Sequence, residues 1–156
     1  MFGKHVYDSG VFRLKLQLHG HVGNKNSNQN DFNIDIGFIN KGIRTSEFCS
    51  FSGRSLSENR RPDFLGWNVG RNHIFDYGKH RNHSGIFGWG GDQRYSWKDD
   101  DIIELLLDMN AAILFLNAPD GKQFQIEVPK WIALKLCVCL KSWETGLRIL
   151  GIRKEG

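Results

Sequence analysis

Histidine, cysteine and clustered acids are the residue types of this 156-residue chain best able to hold a metal or move a proton near neutral pH. His73, His80 and His83 lie close in sequence. Zinc sites built on such spacing normally add cysteines in close pairs, and Cys49 stands alone on its side of the chain, so the three read as polar-loop residues. His19 and His21, on either side of Gly20, have the spacing of a strand-end pair facing one way and read as surface histidines. In Cys137-Val138-Cys139 a strand period of two puts both sulfurs on one face, with Leu136, Val138 and Leu140 on the other. Cysteine is among the most buried residue types, so this pattern predicts a strand covered on both sides. A nucleophilic thiol would need a base and a depressed pKa, and no motif supplies either.

Asp99-Asp100-Asp101 could suggest a cation site. On an extended segment successive side chains alternate between faces, so the three carboxylates are expected to diverge and to form a solvated lead into a strand. The glycine-rich stretch Gly85–Gly91 lacks the Lys-Ser/Thr ending of a phosphate loop and precedes no predicted helix. The sequence therefore predicts no catalytic residue, no metal site and no cofactor, and a chain that is not an enzyme.

Basic and aromatic residues carry the remaining signal. From Arg44 to Arg94 there are eight Lys or Arg against five acids, with Phe64, Trp67, Phe75, Tyr77 and Trp89 among them and Tyr95 directly after. Arg, Trp and Tyr dominate binding hot spots, and loops are where they act. Trp67, Phe75 and Trp89 read as core. Arg54, Arg60, Arg61, Arg71, Tyr77, Arg81 and Arg94 sit in loops and read as a partner-binding face for a ligand of acidic character. The net charge of +4 permits such a partner without demanding nucleic acid, which usually meets a more concentrated basic patch.

The elements that must position these residues read as strands. Phe12, Leu14, Leu16 and Leu18 alternate with Arg13, Lys15 and Gln17, and alternation resumes at Phe32, Ile34, Ile36 and Phe38 after a polar, Asn-rich loop. Those two runs are expected to pair as antiparallel neighbours. Phe48 and Phe51 bracket a weaker strand, and Gly66–Gly70 with Ile74-Phe75 suggest two short ones. Ile102–Asp108, Ala111–Leu116 and Phe124–Val128 predict a three-strand meander, with Asp120-Gly121 as its hairpin turn. Alternation from Ile132 to Leu140 and a last run at Leu147–Leu150 bring the count to about nine strands with no amphipathic helix. An all-β sandwich follows.

Composition agrees. The 40% hydrophobic content is globular, and 18 glycines without a repeat suit the many tight turns of short strands. The longest apolar run, Ala111–Leu116, is far shorter than the ~20 residues of a membrane-crossing helix. No apolar stretch follows Met1–His5, so no secretory leader is predicted. Three cysteines, an odd number, fit reduced thiols and predict a cytoplasmic or nuclear setting.

The order of these features resembles the SPRY domain family. Gly10-Val11-Phe12-Arg13-Leu14-Lys15-Leu16 is similar to that family's Gly-aromatic strand, Phe32–Ile39 to its aliphatic-x-Ile-Gly-aromatic strand, and Gly66-Trp67-Asn68-Val69 to its Gly-Trp element. Asp99–Asp108 resembles the Gly-Asp strand, with Lys98 where the family has glycine. Ala112–Asn117 resembles the strand after it, with the hairpin glycine displaced to Gly121. The resemblance spans residues 10–150 of a single domain, 1–156. It implies a bent antiparallel β-sandwich of the concanavalin-like jelly-roll class that binds a peptide or partner surface through rim loops. It further implies an adaptor, or the substrate-recognition part of a ubiquitin ligase. An intracellular carbohydrate-binding jelly roll is the alternative, with loops such as 24–31 serving sugar hydroxyls. Only nine residues precede Gly10, so an edge strand is expected to be missing or supplied from elsewhere, and an unpaired edge predicts a homodimer.

Overall fold

The structure is a computed structural model, and it describes residues 2–20, 34–44, 64–69, 73–77, 97–140 and 145–156. Among these residues every regular element is a strand: β1 Phe2–Tyr7, β2 Val11–Gly20, β3 Ile34–Asn40, β4 Phe64–Asn68, β5 His73–Asp76, β6 Ile102–Asp108, β7 Ile113–Asn117, β8 Gln123–Glu127, β9 Leu134–Leu140 and β10 Thr145–Glu155. They form two antiparallel five-stranded sheets, one in the order β1-β9-β3-β4-β5 and the other β10-β2-β6-β7-β8. The all-β jelly-roll sandwich expected from the sequence is the fold observed.

Period-two patterning builds the core. Leu14, Leu105, Leu116 and Phe124 fall in register across β2, β6, β7 and β8, and Phe12, Leu107, Leu114 and Ile126 form the next row. Facing them from the other sheet are Ile34, Ile36, Phe38, Leu65, Trp67, Leu134, Leu136 and Val138. Trp67 meets Trp97 edge-on at 5.1 Å between ring centroids. A second, smaller cluster of Ile39, Phe64, Phe75 and Cys137 lies on the far side of the β3-containing sheet, so β3 and β4 are buried on both faces. Trp67 and Phe75 are core, as their sequence context predicts. Cys137 and Cys139 share the smaller cluster's face while Leu136 and Val138 point into the main core, also as predicted. Trp89, Phe48, Phe51, Cys49, His21, His80 and His83 lie outside the described residues.

Four expectations are corrected. β2 and β3 are not neighbours. β2 pairs with β10 and β6, whereas β3 pairs with β9 and β4 in the opposite sheet. Each has one face built for the core, and a long connection lets such strands bury those faces against each other from different sheets as readily as side by side. The edge strand expected to be missing before Gly10, or supplied from elsewhere, is present there as β1, paired antiparallel to β9 with Tyr7 opposite Leu134. Asp99 and Asp100 lie in a turn rather than an extended segment, Asp100 having φ of +67°, so they converge on one side instead of diverging. The final strand also extends well past Leu150, to Glu155, with a bulge between Ile149 and Gly151.

Candidate functional site

The ends of the strands define two rims, and one of them is tied together loop by loop. Met109 N–H donates to the Gly10 carbonyl at 2.9 Å, and Gly10 N–H to the Asn110 side chain at 3.3 Å. Val128 N–H donates to the Ala112 carbonyl at 2.8 Å, and Lys41 N–H to the Ala133 carbonyl at 2.9 Å. Asn40 then donates its side-chain amide to the Tyr77 hydroxyl at 3.2 Å, while Tyr77 N–H reaches the Phe64 carbonyl at 2.9 Å. Asp108 caps the turn after β6 by accepting from the Asn110 and Ala111 amides. Loops fixed this way lose little freedom when a partner docks.

Trp131 stands on this rim. It is 100% exposed and sits at φ of +67°, a left-handed conformation that costs a non-glycine residue on the order of 1–2 kcal/mol. Its neighbours explain the pose. Val128 is tied to Ala112 and Ala133 to Lys41, and Ile132 turns inward to pack against the main core, so the indole between them is thrown outward. Exposed Lys130 precedes it, and exposed Lys41 comes from the loop bonded to Ala133. Tyr77 and Ala112 share the positive φ, at 65° and 57°, so three of the four non-glycine residues with positive φ among those described belong to this rim. Backbone strain of this kind concentrates where structure is held for binding.

Of the residues assigned to the partner-binding face from sequence, Tyr77 falls on this rim, half-buried and bonded to Asn40. Arg54, Arg60, Arg61, Arg71, Arg81 and Arg94 lie outside the described residues. The chain leaves the described part at Arg44 and re-enters at Phe64, both at the Tyr77 rim. Trp131 was not among the predicted residues. Its cue was Pro129-Lys130-Trp131 placed between two alternating runs, where a bulky apolar residue has no face to occupy.

The opposite rim gathers charge. His19 Nδ1 lies 3.6 Å from Asp100 Oδ1 and 3.9 Å from Asp99 Oδ1, all three side chains well exposed. Between the rims, the outer face of the β2-containing sheet carries a polar chain across all five strands. Arg13 Nε donates to Glu155 at 2.7 Å, another Arg13 nitrogen donates to Glu104, Asn117 donates to Glu104 at 3.3 Å, and Gln123 donates to Asn117 at 2.8 Å. Hydrogen bonding to Arg13 holds the Glu155 carboxyl below its ordinary range, and the reciprocal bond raises the Arg13 pKa. A shallow concavity of about 670 Å³ lies beside this chain, floored by Lys15, Glu104, Asn117 and Gln123. Elsewhere, in the core, burial pushes the Tyr7 hydroxyl pKa up.

No protein-family model matches the sequence, and no curated protein matches it. Solved structures do match in shape. The SPRY domain of human HERC1 superposes with a TM-score of 0.62 at 14% identity, over 95% of this chain and 79% of that one. Chicken galectin 2 gives 0.43 at 14% identity, over 95% of this chain and 96% of that one. An ancestral congerin gives 0.44 at 14% identity, over 97% and 95%. At this level of identity the likeness is one of fold. The chain has the two-sheet sandwich of a SPRY domain, and its assignment to that fold rests on shape alone.

Proposed function

We propose that the chain is a non-catalytic protein-interaction module whose rim, marked by Trp131, seats a peptide or partner surface of acidic character. The observation that carries this is the fully exposed indole held at positive φ by a hydrogen-bonded loop. A solvent-facing Trp stabilises nothing in the free fold, whereas Trp is the residue type most enriched where partners bind. Lys41 and Lys130 beside it favour acidic groups. Tyr77 belongs to the same surface, and Arg54, Arg60, Arg61 and Arg81 are assigned to it by their place in the sequence. Arg71 is not, because Asn68 and His73 on either side of it pair at the opposite rim, nor is Arg94, because the described chain resumes at Trp97 next to the 98–101 turn of that rim. Within a larger assembly such a module would serve as an adaptor or as the substrate-recognition part of a ubiquitin ligase, in the cytoplasm or nucleus.

The carbohydrate reading has its best footing on the concavity beside Glu104. There Glu104, Asn117 and Gln123 are already bonded to one another, so sugar hydroxyls would have to displace existing partners. That favours the rim.

The test is a matched pull-down with wild type, Trp131→Ala, Arg60→Ala and Arg61→Ala at low and moderate salt, read by mass spectrometry. A partner that wild type retains and Trp131→Ala loses supports the rim, and weaker retention at higher salt or in the arginine variants supports its basic character. Identical recoveries from all four proteins would sink this placement. Elution by free sugars would transfer the function to the carbohydrate reading.

A further inference from the structure

β10 is an edge strand of unusual exposure. No described strand pairs with its outer side, and the seven residues from Arg148 to Lys154 are all exposed. Ile149 and Ile152 lie opposite Leu16 and Leu14, so they continue rows that are buried further into the sheet, yet they are 42% and 48% exposed. The bulge after Ile149 leaves Leu150 outside the ladder and 45% exposed. From the other sheet Val6 of β1 adds a fourth exposed apolar side chain. A groove of about 460 Å³ runs between the two edges, lined by His5, Val6, Phe12, Ile152 and Lys154 among others.

The charges of this strand select its occupant. Arg148 and Arg153, opposite Gln17 and Arg13, are exposed on the face away from the core rows, Lys154 is exposed at the groove, and the acid at the end of the strand, Glu155, is committed to Arg13. Pairing two copies along β10 would bring two such cationic sets together, which opposes self-association. An incoming strand that alternates acidic and apolar side chains meets complementary charge on one face and the Val6–Ile152 groove on the other, while its backbone completes the ladder.

We infer that the outer edge of β10 accepts an extended acidic-apolar peptide segment as an added strand, a second binding surface separate from the Trp131 rim. This surface rests on the edge itself and does not require the rim reading to hold.

The experiment uses the whole chain and a short synthetic peptide alternating valine and glutamate, with a valine–lysine peptide as control. Backbone amides are followed by NMR shifts and hydrogen exchange. The expected result is protection of β10 amides by the glutamate peptide and none by the lysine peptide. The double variant Arg148→Glu, Arg153→Glu is expected to bind the glutamate peptide about tenfold more weakly and to gain binding of the lysine peptide. Both positions are exposed, and an unchanged melting temperature verifies the fold. Protection confined to Asn40–Arg44 or to the Trp131 turn would overturn the inference, as would equal binding of both peptides. Concentration-dependent protection of β10 without peptide would show a second copy as the occupant and overturn it as well. Because shifts at the rim and at β10 are read separately, failure at one surface leaves the other's result intact.

Discussion

Gly37 on β3 and Gly66 on β4 sit opposite each other so closely that neither has room for a side chain. A Cβ on Gly37 would stand 2.0 Å from the Leu65 carbonyl oxygen, and one on Gly66 would stand 2.2 Å from that of Ile36. Backbone, not a movable side chain, is what it would strike. This contact lets β3 and β4 draw together where both of their faces are buried. Gly37→Ala is therefore expected to destabilise the fold by about 3 kcal/mol or more, measured by urea unfolding. Gly151→Ala is the contrast, since a Cβ there meets nothing within 4 Å, and it should be neutral or stabilising by about 0.5 kcal/mol.

Trp131 separates stability from binding. Trp131→Gly removes a side chain that touches solvent and relieves the left-handed backbone, so it should stabilise the fold by about 1 kcal/mol while abolishing partner capture. Thermal unfolding and the pull-down, run on one preparation, check both halves. A loss of stability equal to that of a core truncation would show that the indole packs against something.

The Arg13–Glu155 contact pins the end of β10 to β2 and gives the molecule an acid-sensitive corner. Glu155 is held below its ordinary pKa, chiefly by its hydrogen bond to Arg13. The folded state therefore binds this proton less readily than the unfolded chain. The resulting stability is present above the unfolded carboxylate pKa and is lost as pH falls through the carboxylate range toward the folded value. Melting temperature against pH should fall less steeply over that range in Glu155→Gln than in wild type. Parallel curves would remove the contact from any account of stability.

Asn68 donates to Asp35 at 2.7 Å where both side chains are buried between β3 and β4. Asn68→Ala withdraws a hydrogen bond from a buried carboxylate and should cost about 2 kcal/mol, whereas Asn110→Ala, on an exposed turn, should cost less than about 1 kcal/mol. Urea midpoints of the two variants decide this.

Strands whose two faces meet different surroundings were legible in the sequence. Phe12 to Leu18, and the meander from Ile102 through Asp120-Gly121, print their burial as alternation, and the structure follows them closely. Partners far apart along the chain were not legible. The pairing of β1 with β9 leaves no local trace, and Phe2–Tyr7 carries too few apolar residues to stand out. β2 and β3 follow each other in sequence yet lie in different sheets, because alternation shows which face is buried and not which strand lies beside it. β10 was cut short since its exposed residues past Leu150 show no alternation. At the rim Tyr77 was found through its residue type and loop context. Trp131 was missed because nothing periodic marks a residue held outward by a turn.

The strand order carries a consequence for how the chain reaches this state. β1 pairs with β9 and β2 with β10, so residues near one end of the sequence wait for residues near the other; Arg13 and Glu155 are 142 positions apart. Long loops must close before these contacts form, which places the chain among slow folders. During synthesis β2 keeps one edge unpaired until β10 has been made. A ribosome stalled before Thr145 would thus hold a nascent chain with an aggregation-prone strand uncovered, and chaperone engagement should end as β10 emerges.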